Sequence, residues 1–133
     1  MDWGSVNITM NYLKFKKRSI DMEIMSMSAR TIRELDKQDW ERICRSQVLP
    51  ESYILSYTDK IGWDNIVKYQ RLSNNFIRRF YKSFTNGIND AIKYQEVEWS
   101  LLLDNIDDID LDVLEASKFI SDEDKAFLKD KLL

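Results

Sequence analysis

Two charged clusters are the residues of this sequence whose types and spacing could support chemistry. The basic cluster comprises Arg71, Arg78, Arg79, Tyr81 and Lys82. Arg78 and Lys82 are four residues apart, so a helix would place them on one face. Single-stranded nucleic acid binds such surfaces through phosphate neutralisation and base stacking. A solvated helix face is the commoner explanation of the same residues, and a protein-binding surface is the second.

The acidic cluster comprises Asp104, Asp107, Asp108, Asp110 and Asp112. The spacing Asp108-x-Asp110-x-Asp112 resembles the start of a calcium loop, but Val113 stands where such a loop needs glycine and Phe119 where it needs glutamate. Aspartates of this kind more often cap helix starts. A sharper hypothesis is that this acidic surface imitates nucleic-acid phosphates and occupies a basic groove on a host protein.

The composition argues against an enzyme. The chain has no histidine, which removes the commonest general base and metal ligand. No glycine-rich phosphate-binding motif is present among the three glycines. Cys44 is the single cysteine, and a lone cysteine without histidine is more often a small buried residue than a nucleophile. We therefore predict no catalytic residues, no metal and no cofactor.

Charge is unevenly distributed along the chain. Residues 1–95 hold 16 Lys/Arg against 11 Asp/Glu, whereas residues 96–133 hold 4 against 12. This asymmetry suggests a basic body and an acidic tail, although two halves that attract each other or are simply solvated would give the same counts.

An internal repeat organises the middle of the sequence. The neighbourhoods of Trp40 and Trp63, 23 residues apart, agree at every apolar site and follow the pattern W-x-x-I-x-x-x-Q-x-L-[PS]-x-x-[FY]-I-x-x-[FY]. Weaker copies extend upstream from residue 27 and downstream to residue 128, with Ile88 in the place of the tryptophan. A periodicity of this length is typical of helical repeat proteins.

The spacing within the repeat predicts two short helices per unit. Trp63, Ile66 and Gln70 fall on one face of a first helix. Ser73 is then expected to cap a second helix, and Pro50 takes the equivalent place in the earlier copy. Neither helix is long enough to be stable alone, so neighbouring units must cover each other's apolar faces.

The N-terminal segment has a different pattern. Val6, Ile8, Met10 and Tyr12 alternate with polar residues, and so do Ile20, Met22 and Ile24, which together suggest a β-hairpin turning at 17–18. A helix through Ile8, Tyr12 and Phe15 is the alternative.

The repeat resembles the short tryptophan-containing repeats found in proteins of bacteriophages and large DNA viruses, W-x-x-I-S-x-x-Q-x-L-S-x-x-F-I-x-x-F. The match is good over residues 39–84, which include Gln70, Leu72 and Phe80 at positions of the pattern. It is fainter over 27–39 and 87–128. The resemblance implies a viral setting and a helical repeat scaffold without catalytic residues. Ile88 departs from the pattern, and the N-terminal segment has no counterpart in it.

We therefore predict a mainly α protein in which short two-helix repeats stack into one small domain. Residues 1–27 form the candidate hairpin, 28–95 the repeat core and 96–133 acidic C-terminal helices. The longest apolar run, Leu101–Leu103, is too short for a membrane span, and the single cysteine suits a reducing compartment, so we expect a cytoplasmic location in the host cell.

The leading functional hypothesis is a non-enzymatic phage or viral accessory protein that binds and inhibits or redirects a host protein, such as a nucleic-acid-guided defence enzyme. The first alternative is a small nucleic-acid-binding protein that uses the basic cluster. The second is a structural protein that self-assembles through its N-terminal strands.

Overall fold

A computed structural model describes residues 23–132 of the chain. These residues are mainly helical and include no strand. The predicted hairpin falls mostly on residues 1–22, outside the described part. Its last residues are described, and there the prediction of a strand is wrong. Ile24–Ser26 form a 3-10 helix, because the Ile24 carbonyl accepts the N–H of nearby Met27 at 3.1 Å, and Ile24 is buried.

The chain divides into two compact units, one ending at Val48 and the other beginning at Leu49. This division falls inside the first copy of the sequence repeat. In the first unit, helix α1 spans Ala29–Arg33 and helix α2 spans Lys37–Ser46.

A capping box starts helix α2. The Asp36 carboxylate accepts a hydrogen bond from the Asp39 N–H at 2.8 Å, and the Asp39 carboxylate accepts from the Asp36 N–H at 3.0 Å. The two acids thus satisfy backbone donors that the first helical turn leaves open. Helix α2 buries Trp40, Ile43 and Cys44, which supply its apolar face.

The second unit contains eight further α-helices within residues 49–132. They are α3 (Glu51–Ser56), α4 (Thr58–Ile61), α5 (Trp63–Tyr69), α6 (Asn74–Phe80), α7 (Ile88–Tyr94), α8 (Trp99–Asp104), α9 (Leu111–Ala116) and α10 (Asp122–Leu132). Two 3-10 turns, Tyr81–Ser83 and Ile106–Asp108, follow α6 and α8.

The helix starts follow the residues that the sequence singles out. The Ser73 hydroxyl accepts the Phe76 N–H at 3.1 Å, so the predicted cap of α6 is confirmed. Pro50 occupies the equivalent position before α3, as expected. Helices α5 and α7 instead follow Gly62 and Gly87, whose positive φ angles of 86° and 54° turn the chain into each helix.

Helix α7 packs against α5 and against α9, and α10 packs against α9. The core between them is formed by fully buried aliphatic side chains, namely Ile66, Val67, Ile77, Ile92, Leu114 and Leu128. Trp63 is half-buried and lies against the rings of Phe76, Phe80 and Phe84, with centroids 6.2, 5.5 and 5.9 Å away. The aromatic side chains of the repeat around Trp63 therefore pack against one another within the second unit.

Within residues 23–132, every helix is too short or too polar to span a lipid bilayer.

Candidate interaction groove

Two identical tripeptides end helices α5 and α7. Lys68-Tyr69-Gln70 and Lys93-Tyr94-Gln95 lie 25 residues apart in the sequence. In both, the lysine ammonium lies 5.2 Å from the centroid of the tyrosine ring beside it. Gln70 and Gln95 follow in extended backbone conformation, so each helix stops there and a short linker leads to the next one. We call residues 70–73 the first linker and residues 95–98 the second linker.

Buried glutamine side chains fasten these linkers to the helices. The Gln95 Oε1 atom accepts the N–H of Leu72 at 3.1 Å, and its Nε2 donates to the carbonyl oxygens of Val67 and Gln70 at 2.7 and 2.6 Å. Gln70 in turn accepts the N–H of Leu49 at 2.8 Å. These amides are occupied by the fold, so we assign them no role in binding a ligand.

An open groove of about 980 Å³ runs over the two linkers. Its walls are residues 68–74 and 94–99, together with Glu51 and Phe119. Glu51 is already engaged, because its carboxylate accepts the backbone N–H and the hydroxyl of Ser73 at 2.7 and 2.9 Å. Lys68, Arg71 and Glu96 are exposed, so the groove presents charges of both signs.

Exposed aromatic side chains lie in the groove and beside it. Trp99 and Phe119 line it and are 38% and 45% exposed, and Phe127 of α10 is 48% exposed. The rings of Trp99 and Phe127 are in contact, with centroids 5.6 Å apart and planes at 53°. We call Trp99, Phe119 and Phe127 the aromatic patch. Exposed aromatic rings grouped in this way are typical of protein–protein interfaces.

The sequence reasoning missed this patch, although the repeat carried a signal for one member. Trp99 stands one residue after the position of Ser73, where the other copies have Glu51 and Asn74. Because the other copies have a polar residue at this position, the helical scaffold does not require a tryptophan there. Phe119 and Phe127 carried no comparable signal, because the last copy of the repeat is too degenerate to align them.

The predicted basic cluster is dispersed. Arg71 lies in the groove wall, whereas the Arg79 guanidinium lies 5.0 Å from the centroid of the Phe80 ring. The Tyr81 hydroxyl donates to Asn105 Oδ1 at 3.0 Å, and Lys82 lies 5.9 Å from the Tyr81 ring.

Arg78, the centre of that cluster, is engaged within the fold. Its Nε donates to Glu98 Oε1 at 2.8 Å and its Nη2 donates to the same oxygen and, at 2.8 Å, to the Ser100 hydroxyl. Its Nη1 lies 3.6 Å from Asp104 Oδ2. Hydrogen bonding to Glu98 is the main reason that the pKa of Arg78 is raised above its usual value. Arg78 thus connects α6 to the start and end of α8.

The predicted acidic cluster also divides by role. Asp104 pairs with Arg78, and Asp110 caps α9 by accepting the Asp112 N–H at 3.3 Å, so the expectation that aspartates cap helix starts is confirmed there. The side chains of Asp107, Asp108 and Asp112 are exposed.

The basic and acidic clusters are adjacent. A second cavity of about 270 Å³ is lined by Tyr81 and Lys82 from the basic cluster and by Asp108 from the acidic one. Asn89 holds the backbone here, donating to the Asp108 carbonyl at 2.9 Å and accepting the Asp110 N–H at 2.7 Å.

The described residues also bear on a reactive cysteine and on a metal site. Burial raises the pKa of the Cys44 thiol to about 12, so the nucleophilic thiolate is not formed near neutral pH. Among residues 23–132, no three Cys, Asp or Glu side chains are grouped so that they could hold a metal ion.

No protein-family model, curated protein or solved structure matches this chain.

Proposed function

We propose that this chain is a non-enzymatic phage or viral accessory protein that binds a host protein and inhibits or redirects it. The observation that carries the proposal is the aromatic patch of Trp99, Phe119 and Phe127, of which Trp99 and Phe119 line the groove. Partly exposed aromatic rings are the side chains that most often dominate the energy of a protein interface. The viral setting rests on the resemblance of the repeat alone.

We further propose that the second unit is a stack of two-helix repeats that serves as a rigid scaffold for this surface. The glutamine bonds support this, because Gln70 and Gln95 accept the backbone N–H groups of Leu49 and Leu72, which lie 21 and 23 positions earlier in the chain. Stacked units bury their apolar faces only against neighbours. Such a scaffold holds the aromatic patch in place, which lowers the entropy lost on binding.

Charge supports a basic target. Asp107, Asp108 and Asp112 are exposed, and the first turn of α10 adds Asp122, Glu123 and Asp124. An exposed acidic surface speeds encounter with a positively charged partner and fixes its orientation. A nucleic-acid-guided defence enzyme has a positively charged groove for its nucleic acid, so we propose such an enzyme as the host target. We place this encounter in the cytoplasm of the host cell.

Nucleic-acid binding by the basic cluster is the alternative, and the geometry favours it less. Arg71, Arg79 and Lys82 are exposed, but the Arg78 guanidinium is occupied by Glu98 and Asp104. Those carboxylates would also repel phosphates near Arg78. Self-assembly through the N-terminal segment is the second alternative, and it depends on residues 1–22, which lie outside the described part.

The test is capture of host proteins by the tagged full chain, followed by mass spectrometry and by a binding assay with the purified candidate. Trp99→Ser with Phe127→Ser is expected to weaken binding at least about tenfold, as loss of an interface hot spot does. Leu55→Ser is the matched control, since Leu55 is 39% exposed and lies on α3. Equal binding by the wild type and the double variant would contradict the proposal.

The charge hypothesis needs its own variant. Replacing Asp107, Asp108 and Asp112 by asparagine should slow association and reduce its dependence on salt, without changing helix capping. A parallel gel-shift experiment with single- and double-stranded DNA and RNA at low salt tests the alternative. A shift that Arg71→Glu and Arg79→Glu abolish would replace the protein-binding proposal with nucleic-acid binding.

A further inference from the structure

In three places a glutamine at the end of a helix holds a backbone N–H that lies 21 to 23 residues earlier in the chain. Ile24 N–H is bound by Gln47 Oε1 at 2.7 Å in the first unit. In the second unit, Leu49 N–H is bound by Gln70 and Leu72 N–H by Gln95. Each glutamine is the residue that ends its helix, and each has extended backbone.

The next position of the series lacks its glutamine. Helix α9 ends at Ser117, which also has extended backbone (φ −62°, ψ 133°). Its side chain is too short to reach a neighbouring linker, and its hydroxyl accepts the Phe119 N–H at 3.2 Å. Val97 stands in the second linker where Leu72 stands in the first. Among residues 23–132, the Val97 N–H has no hydrogen-bond partner.

The open donor lies beside an apolar surface. Val97, Trp99 and Phe119 line the same groove, and the rings of Trp99 and Phe119 are 38% and 45% exposed. A backbone donor next to exposed aromatic rings is the arrangement that an extended peptide recognises, through its main-chain or amide oxygens and its apolar side chains. Glu96 and Glu98 flank Val97, so this stretch disfavours the phosphates of a nucleic acid.

We propose that the groove at Val97 docks an extended segment of a partner protein. The segment places a carbonyl or carboxamide oxygen on the Val97 N–H, in the way that Gln95 meets Leu72, and an apolar side chain on Trp99 and Phe119. This proposal rests on the proposed function, because it assumes a protein partner, and it specifies the part of the partner that is recognised.

Amide hydrogen exchange tests the open donor in the full chain. The Leu49 and Leu72 N–H groups are expected to exchange slowly, and the Val97 N–H to exchange close to the unprotected rate. In Ser117→Gln, a carboxamide becomes available from within the chain, and the Val97 amide should gain protection of at least about tenfold, as a formed hydrogen bond confers. Ser117→Leu, similar in size but without the amide, should leave it unprotected. A Val97 amide as protected as Leu72 in the wild type would overturn the proposal.

Binding is tested with short random peptides displayed on phage, selected on the full chain and then synthesised. We expect selected peptides to share an amide-bearing or small residue next to an aromatic or aliphatic one. Their binding should protect the Val97 amide and weaken at least about tenfold in Trp99→Ala, with no change in Leu55→Ala. Peptides that bind equally well to Trp99→Ala, or a selection that yields no peptide, would refute the proposal that the groove docks an extended segment.

Its failure can be told apart from failure of the proposed function. If Trp99→Ser with Phe127→Ser weakens the binding of a captured host protein but Ser117→Gln leaves it unchanged, the host-binding proposal stands and the groove proposal falls. If an oligothymidylate competes with the selected peptides for the groove, the site is instead assigned to single-stranded nucleic acid. That result would overturn the proposal that a peptide segment is the occupant.

Discussion

The side-chain amide of Gln95 holds the backbone of Leu72, with 3.1 Å between Gln95 Oε1 and the Leu72 nitrogen. The same amide donates to the carbonyl oxygens of Val67 and Gln70, so one side chain satisfies three backbone groups of another segment. Gln95 is only 5% exposed, and without it these groups would be buried without partners. The glutamine of the repeat is thus a structural residue.

Replacing this side chain should therefore be costly. Gln95→Met keeps the volume but leaves the Leu72 N–H and two carbonyl groups without their partners, and we expect a loss of about 2–4 kcal/mol in the free energy of unfolding. Urea denaturation followed by circular dichroism measures it. Glu96→Gln, at the exposed neighbouring position, is the control and should change little. A Gln95→Met variant as stable as the wild type would show that the three bonds contribute nothing net.

Gly62 is required for its backbone conformation. Its φ of 86° is unfavourable for residues with a Cβ, yet a Cβ built there would have no atom within 4 Å. Gly62→Ala should therefore cost about 1–3 kcal/mol through strain alone, without a steric clash. Thermal unfolding measures this cost. Ser52→Ala, an exposed helical site, serves as the reference for an alanine at an unstrained backbone. If the two variants unfold at the same temperature, the start of α5 does not need glycine.

Burial of Cys44 makes stability depend on pH. Its pKa is raised from 9.0 to about 12 in the folded chain, so at intermediate pH the unfolded state loses a proton that the folded state keeps. Stability is then complete below the unfolded pKa and falls as pH rises above it. We expect the free energy of unfolding of the wild type to decline between about pH 9 and 10, before tyrosines titrate. Cys44→Ala should show a flatter dependence over that range, and an unchanged slope would contradict the assignment.

The same burial predicts slow alkylation. Iodoacetamide at neutral pH should modify Cys44 only when the native chain opens, so urea should accelerate the reaction sharply. Val48→Cys supplies the comparison, since Val48 is 91% exposed and its thiol should react at the rate of an unfolded peptide. Reaction of Cys44 at that rate in native conditions would show that the thiol is accessible.

Arg78 should stabilise the fold through charge. Arg78→Met removes its bonds to Glu98 and Ser100 and its pairing with Asp104, while keeping most of the side-chain stem. We expect a lower unfolding temperature at low salt and a smaller difference from wild type as salt screens the pair. Arg79→Met, which removes a charge with no carboxylate partner in residues 23–132, should not show this salt dependence. A salt-independent loss in Arg78→Met would mean that packing, and not charge, explains its effect.

Local interactions allowed much of the helix pattern to be predicted. Ser73 and Pro50 mark helix starts because a cap needs only residues within about one turn of the chain. The repeat identified the buried apolar positions for a similar reason, since the spacing of Ile66, Ile77 and Ile92 already places each on one face of its helix. The aromatic patch could not be predicted in this way.

The tertiary structure decided what the long-range contacts do. Arg78 and Asp104 were assigned by sequence to two separate surfaces, and they meet because α6 and α8 are adjacent in space while 26 positions separate the two residues. Whether Trp99 is a core or a surface residue depends on which helices cover it, and no local pattern encodes that. Residue types and spacing determined which charged side chains were available, and packing determined which of them remain exposed.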